Sequence, residues 1–180
     1  EIRDGARLPV KPTIHFGLRN MGVAPAGLDL QRLLDAKKSK GTVGAYDRGS
    51  KFDPLQVIEN VDAEVVLECT PTNLVDGEPG TSHVITAMKT GKHVISVNKG
   101  PLALSFPSLV ELANYNGVMF RFSGTVGGGT PILEFAKRCL KGDRITSFKG
   151  ILNGTTNYIL SKMDEGLTYE SALQDAAKKG

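Results

Sequence analysis

The chain has 180 residues, 40% of them hydrophobic, and its 22 Lys and Arg against 19 Asp and Glu leave a formal net charge of +3. This is enough apolar material for one good core or two small ones, and the interspersed charges argue against the basic face of a nucleic-acid binder. No apolar run approaches the roughly 20 residues that cross a bilayer, and no charged-then-apolar leader opens the chain, so a cytoplasmic protein with no membrane partner is expected.

Residues 1–12 are polar and irregular, and read as the tail of a helix that begins elsewhere. Thr13–Leu18 alternates as a strand does and ends at Arg19-Asn20, and Met21–Gly27 has the composition of a loop. Leu28–Lys40 carries Leu30, Leu33 and Leu34 on one helical face and is stopped by Gly41. A polar, glycine-bearing connection follows, and then Asp53-Pro54, an N-cap with proline behind it, opens a short helix to about Asn60. Ala63–Cys69 reads as a buried strand that ends in Thr70-Pro71-Thr72-Asn73. After the loop 74–80, Thr81 or Ser82 caps a helix through Met88, with Gly91 as its stop.

The β-branched run His93–Val97 then leads into a polar turn, Asn98-Lys99-Gly100-Pro101. Ser105–Asn116 is predicted helical, and Val118–Phe122 is predicted to be a strand that enters the glycine-rich segment Ser123–Thr130. Pro131 starts a helix to Leu140, Arg144–Leu152 reads as a long strand, and Asn153-Gly154-Thr155-Thr156 reads as a turn feeding a helix from about Asn157. A last helix is capped by Thr168. Strands and helices alternate about every 25 residues through Phe122, the signature of βαβ units in a parallel sheet. The pattern changes near residue 125, which predicts an α/β domain over 1–124 and the start of an α+β domain over 125–180.

Ligands of wound α/β sheets bind beyond the carboxyl ends of the strands. Lys99 falls at such an end, where a lysine is either a solvated turn residue or, partly desolvated, a proton donor or acceptor. Arg19, at the end of the first readable strand where an acid would select a ribose hydroxyl, is either a 2′-phosphate ligand that favours NADP or a solvated strand-end residue. The run Gly127-Gly128-Gly129 offers close backbone approach to an anion or a cation, or a structural turn. Glu68 reads as a satisfied structural acid. Cys69 and Cys139 lie in apolar segments without metal or redox spacing and read as reduced core thiols. His15, His83 and His93 are scattered, which argues against a histidine metal site. There is no nucleophile elbow, phosphate-binding P-loop or spaced-glycine dinucleotide fingerprint.

Three segments in this order, Asn98-Lys99-Gly100-Pro101-Leu102-Ala103, Gly124–Pro131 and Gly150–Leu160, resemble the homoserine dehydrogenase family. Thr70-Pro71-Thr72-Asn73 with Asp76-Gly77-Glu78-Pro79 resembles its short archaeal and bacterial form. The resemblance implies a partial Rossmann-type parallel sheet lacking its first βα unit, followed by the beginning of a catalytic and dimer-forming domain. It implies NAD(P)-dependent interconversion of L-homoserine and L-aspartate 4-semialdehyde, in threonine and methionine synthesis, by a homodimer that pairs through Arg144–Leu152. Lys99 matches the catalytic lysine; Thr70, Ser96, Asn98 and Lys99 match the cofactor side, and Gly154 and Thr155 the substrate loop. Backbone carbonyls of Val126, Gly128 and Thr130 match a site for Na+ or K+, where Ser123 stands in place of the family's usual glutamate. Further family segments would lie outside these 180 residues, so little turnover is expected from them alone. The alternative is a non-catalytic degenerate relative that binds a nucleotide or a partner.

Overall fold

A computed structural model of the protein describes residues 14–16, 21–23, 29–41 and 53–179. Its centre is a parallel sheet of β3 (Val65–Glu68), β4 (His93–Ser96) and β5 (Phe120–Arg121), in that order, with Val66, Val94 and Phe120 in register. Parallel neighbours need crossovers, and these are α3 (Gly80–Lys89) between β3 and β4 and α4 (Lys99–Tyr115) between β4 and β5. The expected α/β parallel architecture is therefore present.

The core lies between one sheet face and these helices, with α2 (Pro54–Asn60) packed beside α3. Ile58, Val84, Ala87, Met88, Val94, Leu109 and Ala113 form it, closed at its margin by Val66, Leu112 and Phe120. Full burial of Met88, Leu109 or Val84 stabilises by about 1.5–3 kcal/mol each. Among the described residues only that face is covered. Val65, Leu67 and Ile95 alternate onto the opposite, exposed face, so the run Ala63–Cys69 is a half-buried strand rather than a buried one.

Local signals set the helix starts. Asp53 accepts the Leu55 N–H ahead of Pro54, and Asp29 accepts the N–H groups of Gln31 and Arg32 at the start of α1 (Leu30–Lys40). Gly41 ends α1 in the left-handed region, at φ 70°. Of the three leucines expected inside on α1, Leu33 is buried while Leu30 and Leu34 are exposed.

Four further expectations are corrected. Ile14–Phe16 (β1) pairs antiparallel with Met21–Val23 (β2), which the sequence suggests is loop. The two strands form a two-stranded sheet, with Ile14 opposite Val23 and Phe16 opposite Met21. Arg19 itself lies outside the described residues. The segment Asn98–Pro101 is the start of α4, not a turn before a later helix; the helix kinks at Ser105, where φ is −138°, two residues before Pro107. Arg144–Leu152 forms no strand and is exposed throughout, since an extended segment completes its hydrogen bonds only against a partner. Cys69 and Cys139 are exposed, not core.

The chain divides into two compact units, residues 1–121 and 122–180. The second holds a short 3₁₀ turn (Ser123–Thr125), α5 (Ile132–Cys139), α6 (Gly154–Asp164) and α7 (Tyr169–Lys179). Ile159, Ala172 and Ala176 pack α6 on α7, with Tyr158 beside them donating its hydroxyl to Asp175 at 2.5 Å. No helix among the described residues is long and apolar enough to cross a membrane.

Candidate functional site

Glu68 and Ser96 are register partners at the carboxyl ends of β3 and β4, the edge of a parallel sheet where ligands are received. Three polar side chains there are almost fully buried: Glu68 at 3%, Ser96 at 1% and Asn98 at 2% exposure. Burying polar atoms is costly unless each is bonded, and here each is.

Glu68 is the centre of the arrangement. Its Oε1 accepts the Thr70 N–H at 2.8 Å, the Thr70 hydroxyl at 2.5 Å and the Asn98 amide at 3.3 Å. Its Oε2 accepts from His83 Nδ1 at 2.7 Å, in the first turn of α3. Burial alone would raise the Glu68 pKa, but the bonds from His83 and Thr70 outweigh it and hold the carboxyl below its ordinary value. The expectation of a satisfied structural acid agrees with this. Sequence reasoning missed the pairing of His83 with Glu68; the available signal was an acid at the end of an apolar strand followed by a histidine one crossover later.

Asn98 caps α4. Its Oδ1 accepts the Gly100 N–H at 3.0 Å while its Nδ2 also donates to the Thr70 hydroxyl at 3.1 Å. Its backbone N–H donates to Ser96 Oγ at 3.2 Å. Lys99 follows as the first residue of the helix and is exposed, so the desolvated lysine considered above is not found. Its ammonium group stands at a helix N-terminus on the ligand-receiving edge of the sheet.

The loop after β3 is packed tightly against that helix start. A Cβ on Gly100 would fall 2.4 Å from the Asn73 carbonyl oxygen, and one on Gly80 2.5 Å from Asn98 Nδ2. Within the loop, Asn73 Nδ2 donates to Asp76 Oδ1 at 2.7 Å, and Asp76 in turn accepts the Glu78 N–H at 2.9 Å. Cys69, next to Glu68, has its thiol pKa raised by partial burial and by the Glu68 charge, which disfavours the thiolate a nucleophile needs.

Thr70, Ser96, Asn98 and Lys99 thus come together in the first unit. Arg19 lies outside the described residues, and the other expected site residues lie in the second unit. Gly154 and Thr155 form the exposed first turn of α6, behind an Asn153 cap that accepts the Thr156 N–H at 2.8 Å. The segment read as a turn before a helix is therefore the helix start itself. Val126, Gly128 and Thr130 lie on the glycine-rich loop, where Gly127 and Gly128 take φ of 71° and 58°. Among the described residues no backbone N–H bonds the carbonyls of Val126 or Gly128, whereas that of Thr130 accepts from Ile132 N–H at 2.8 Å. Ser123 Oγ donates to Glu134 Oε1 at 3.1 Å. That bond, then the one from Arg138, lowers the Glu134 pKa, so an ionised carboxylate stands beside position 123.

These donor sets suit the groups that the sequence points to. Two open carbonyls and a carboxylate are hard oxygen ligands of the kind alkali cations take. An exposed lysine at a helix N-terminus, above a tightly folded backbone, suits an anionic nucleotide.

Two family models match the chain. The one described as homoserine dehydrogenase, NAD binding domain, matches residues 19–123, and the one described as homoserine dehydrogenase matches residues 131–180. The homoserine dehydrogenase of Methanocaldococcus jannaschii is 47% identical over 156 residues, which are 86% of this chain and 46% of that protein. The NAD(+)-dependent homoserine dehydrogenase of Pseudomonas canavaninivorans is 43% identical over 156 residues, 86% of this chain and 44% of that protein. A hyperthermophilic archaeal homoserine dehydrogenase solved in complex with NADPH superimposes with a TM-score of 0.80 at 25% identity, covering 93% of this chain and 51% of its own. The chain thus spans about half the length of these proteins.

Proposed function

Because the chain belongs to the homoserine dehydrogenase family, we propose that it supplies the nicotinamide-binding and substrate-facing parts of an NAD(P)-dependent oxidoreductase interconverting L-homoserine and L-aspartate 4-semialdehyde. The observation that carries this reading is the place of Lys99, exposed at the first position of α4 where β4 delivers the chain. A dinucleotide held there would supply a hydride acceptor or donor at nicotinamide C4. Lys99 holds or releases the proton of the substrate oxygen as the carbon–oxygen bond changes order. Thr70 lines the same edge, and the buried Ser96 and Asn98 act through the backbone they hold in place. Gly154 and Thr155 present a helix N-terminus to the anionic end of the substrate. Val126, Gly128 and Thr130 are the carbonyl ligands of Na+ or K+, with Glu134 as the nearby carboxylate.

The NADPH bound by the archaeal relative supports NADP, while the name of the Pseudomonas relative supports NAD. We place the protein in the cytoplasm as a homodimer. Supporting the dimer, Ile145, Phe148, Ile151 and Leu152 are exposed along a segment without a strand partner.

Titration with NADPH and NADH, followed by nicotinamide fluorescence, tests the reading. Saturable binding is expected, weakened about tenfold by Lys99→Ala through loss of one charged contact. The melting temperature is expected to stay the same, since the side chain is exposed. Homoserine-dependent reduction of either cofactor, where it is measurable, is expected to fall by about 100-fold or more in the same variant. Binding or turnover indifferent to Lys99→Ala would remove Lys99 from the site.

A further inference from the structure

Glu68 is a buried carboxylate that the proposed chemistry does not use, yet it touches three separately encoded pieces of the site. One oxygen gathers the Thr70 N–H, the Thr70 hydroxyl and the Asn98 amide; the other is anchored by His83. An ionised carboxylate is acceptor-only, so His83 donates its Nδ1–H and fixes the orientation of the carboxyl group. That orientation decides which way the Asn98 amide faces. With its Nδ2 turned to Glu68 and Thr70, Asn98 has its Oδ1 left to cap Gly100, the residue after Lys99. Reversing the Asn98 amide would set its carbonyl against the carboxylate and break the cap. The Gly100 backbone also leaves no room for a Cβ against Asn73 O, so a shift at the start of α4 is transmitted to the loop after β3.

We propose that Glu68 is the positioning residue of this site: through Thr70 and Asn98 it fixes where Lys99 and the loop 70–73 stand relative to a bound dinucleotide. This rests on the nicotinamide-site reading above. It goes further by assigning the placement of the site to a buried side chain. His83 is the support of Glu68, acting from the crossover helix.

Three variants of the full 180-residue chain test this. Glu68→Ala removes the acceptor of the Thr70 N–H and hydroxyl and of His83 Nδ1, and leaves Asn98 Nδ2 with Thr70 Oγ1 alone. Glu68→Gln retains one acceptor oxygen for the Thr70 and Asn98 donors and leaves only the His83 contact to rearrange. Met88→Ala is a control that opens the apolar core of the first unit, to which Glu68 does not belong. Two quantities are read below the melting temperature of every variant: the NADPH dissociation constant, and the amide exchange rates of Thr70 and Gly100. Glu68→Ala is expected to weaken NADPH binding about tenfold and to speed exchange at both amides. Glu68→Gln should recover most of the binding. Met88→Ala should lower the melting temperature at least as far while changing neither quantity. Should binding simply follow melting temperature across the three variants, Glu68 is an ordinary core residue and the proposal is overturned. The same conclusion follows if Glu68→Ala binds NADPH as the unsubstituted chain does. Failure of the unsubstituted chain to bind NADPH overturns the cofactor reading itself. The exchange rates then decide separately whether Glu68 holds the helix start.

Discussion

Glu68 and Lys99 divide the work of one sheet edge, the first buried and fully bonded, the second exposed. Their visibility in the sequence differs for the same reason. Lys99 follows an apolar β-branched run and precedes Gly-Pro, so its place at a strand end follows from neighbours along the chain. Glu68 shows only as an acid after Val-Val-Leu, and its partners Asn98 and His83 are distant in sequence and adjacent only once the crossovers form. The low pKa of Glu68 has a measurable consequence. A carboxyl whose folded pKa lies below its unfolded value adds stability above the unfolded value, and this is lost as pH falls through the folded one. The melting temperature should therefore drop more steeply below the ordinary carboxylate range in the unsubstituted chain than in Glu68→Gln, the two curves converging at low pH. Parallel curves over that range would contradict the assignment.

Among the elements, caps and stops are the most legible features. Asp53-Pro54 and Gly41 lie where their local chemistry puts them. The starts of α4 and α6 are harder to read, because Asn98-Lys99-Gly100-Pro101 and Asn153-Gly154-Thr155-Thr156 are rich in residues equally at home in turns. In both, the asparagine serves as N-cap, accepting from Gly100 N–H and Thr156 N–H respectively. The glycine after Lys99 is required by space rather than by φ. Gly100→Ala would press a Cβ against the Asn73 carbonyl, and is expected to destabilise by about 1–3 kcal/mol. Gly142→Ala, with nothing within 4 Å of the added atom, is expected to change stability by less than about 0.5 kcal/mol. Denaturant midpoints for the pair check this. Equal midpoints would mean that the loop after β3 yields freely.

At the scale of the molecule, each unit has its own core, and the segment Arg144–Leu152 of the second unit is exposed throughout. Its alternation of apolar residues reads as a strand, yet a strand is a pairing, and none is offered among the described residues. Four exposed apolar side chains on an unpaired segment form the kind of patch that draws a second copy. Sedimentation of the unsubstituted chain is expected to show a dimer, and Phe148→Glu a monomer with unchanged melting of the first unit. A monomeric unsubstituted chain would remove this segment from the interface.

The sequence by itself determined the alternation of strands and crossover helices from Asp53 to Phe122, the family motifs and the place of Lys99. Each of these rests on interactions between neighbours along the chain: side-chain period, caps and proline positions. Only the tertiary structure decided the rest. It joined Glu68 to His83 and Asn98, exposed Cys69 and Cys139, closed β1 onto β2 and left Arg144–Leu152 unpaired. Those outcomes depend on which groups meet when each unit closes over its own core, and hydrogen-bond partners and burial are set at that step.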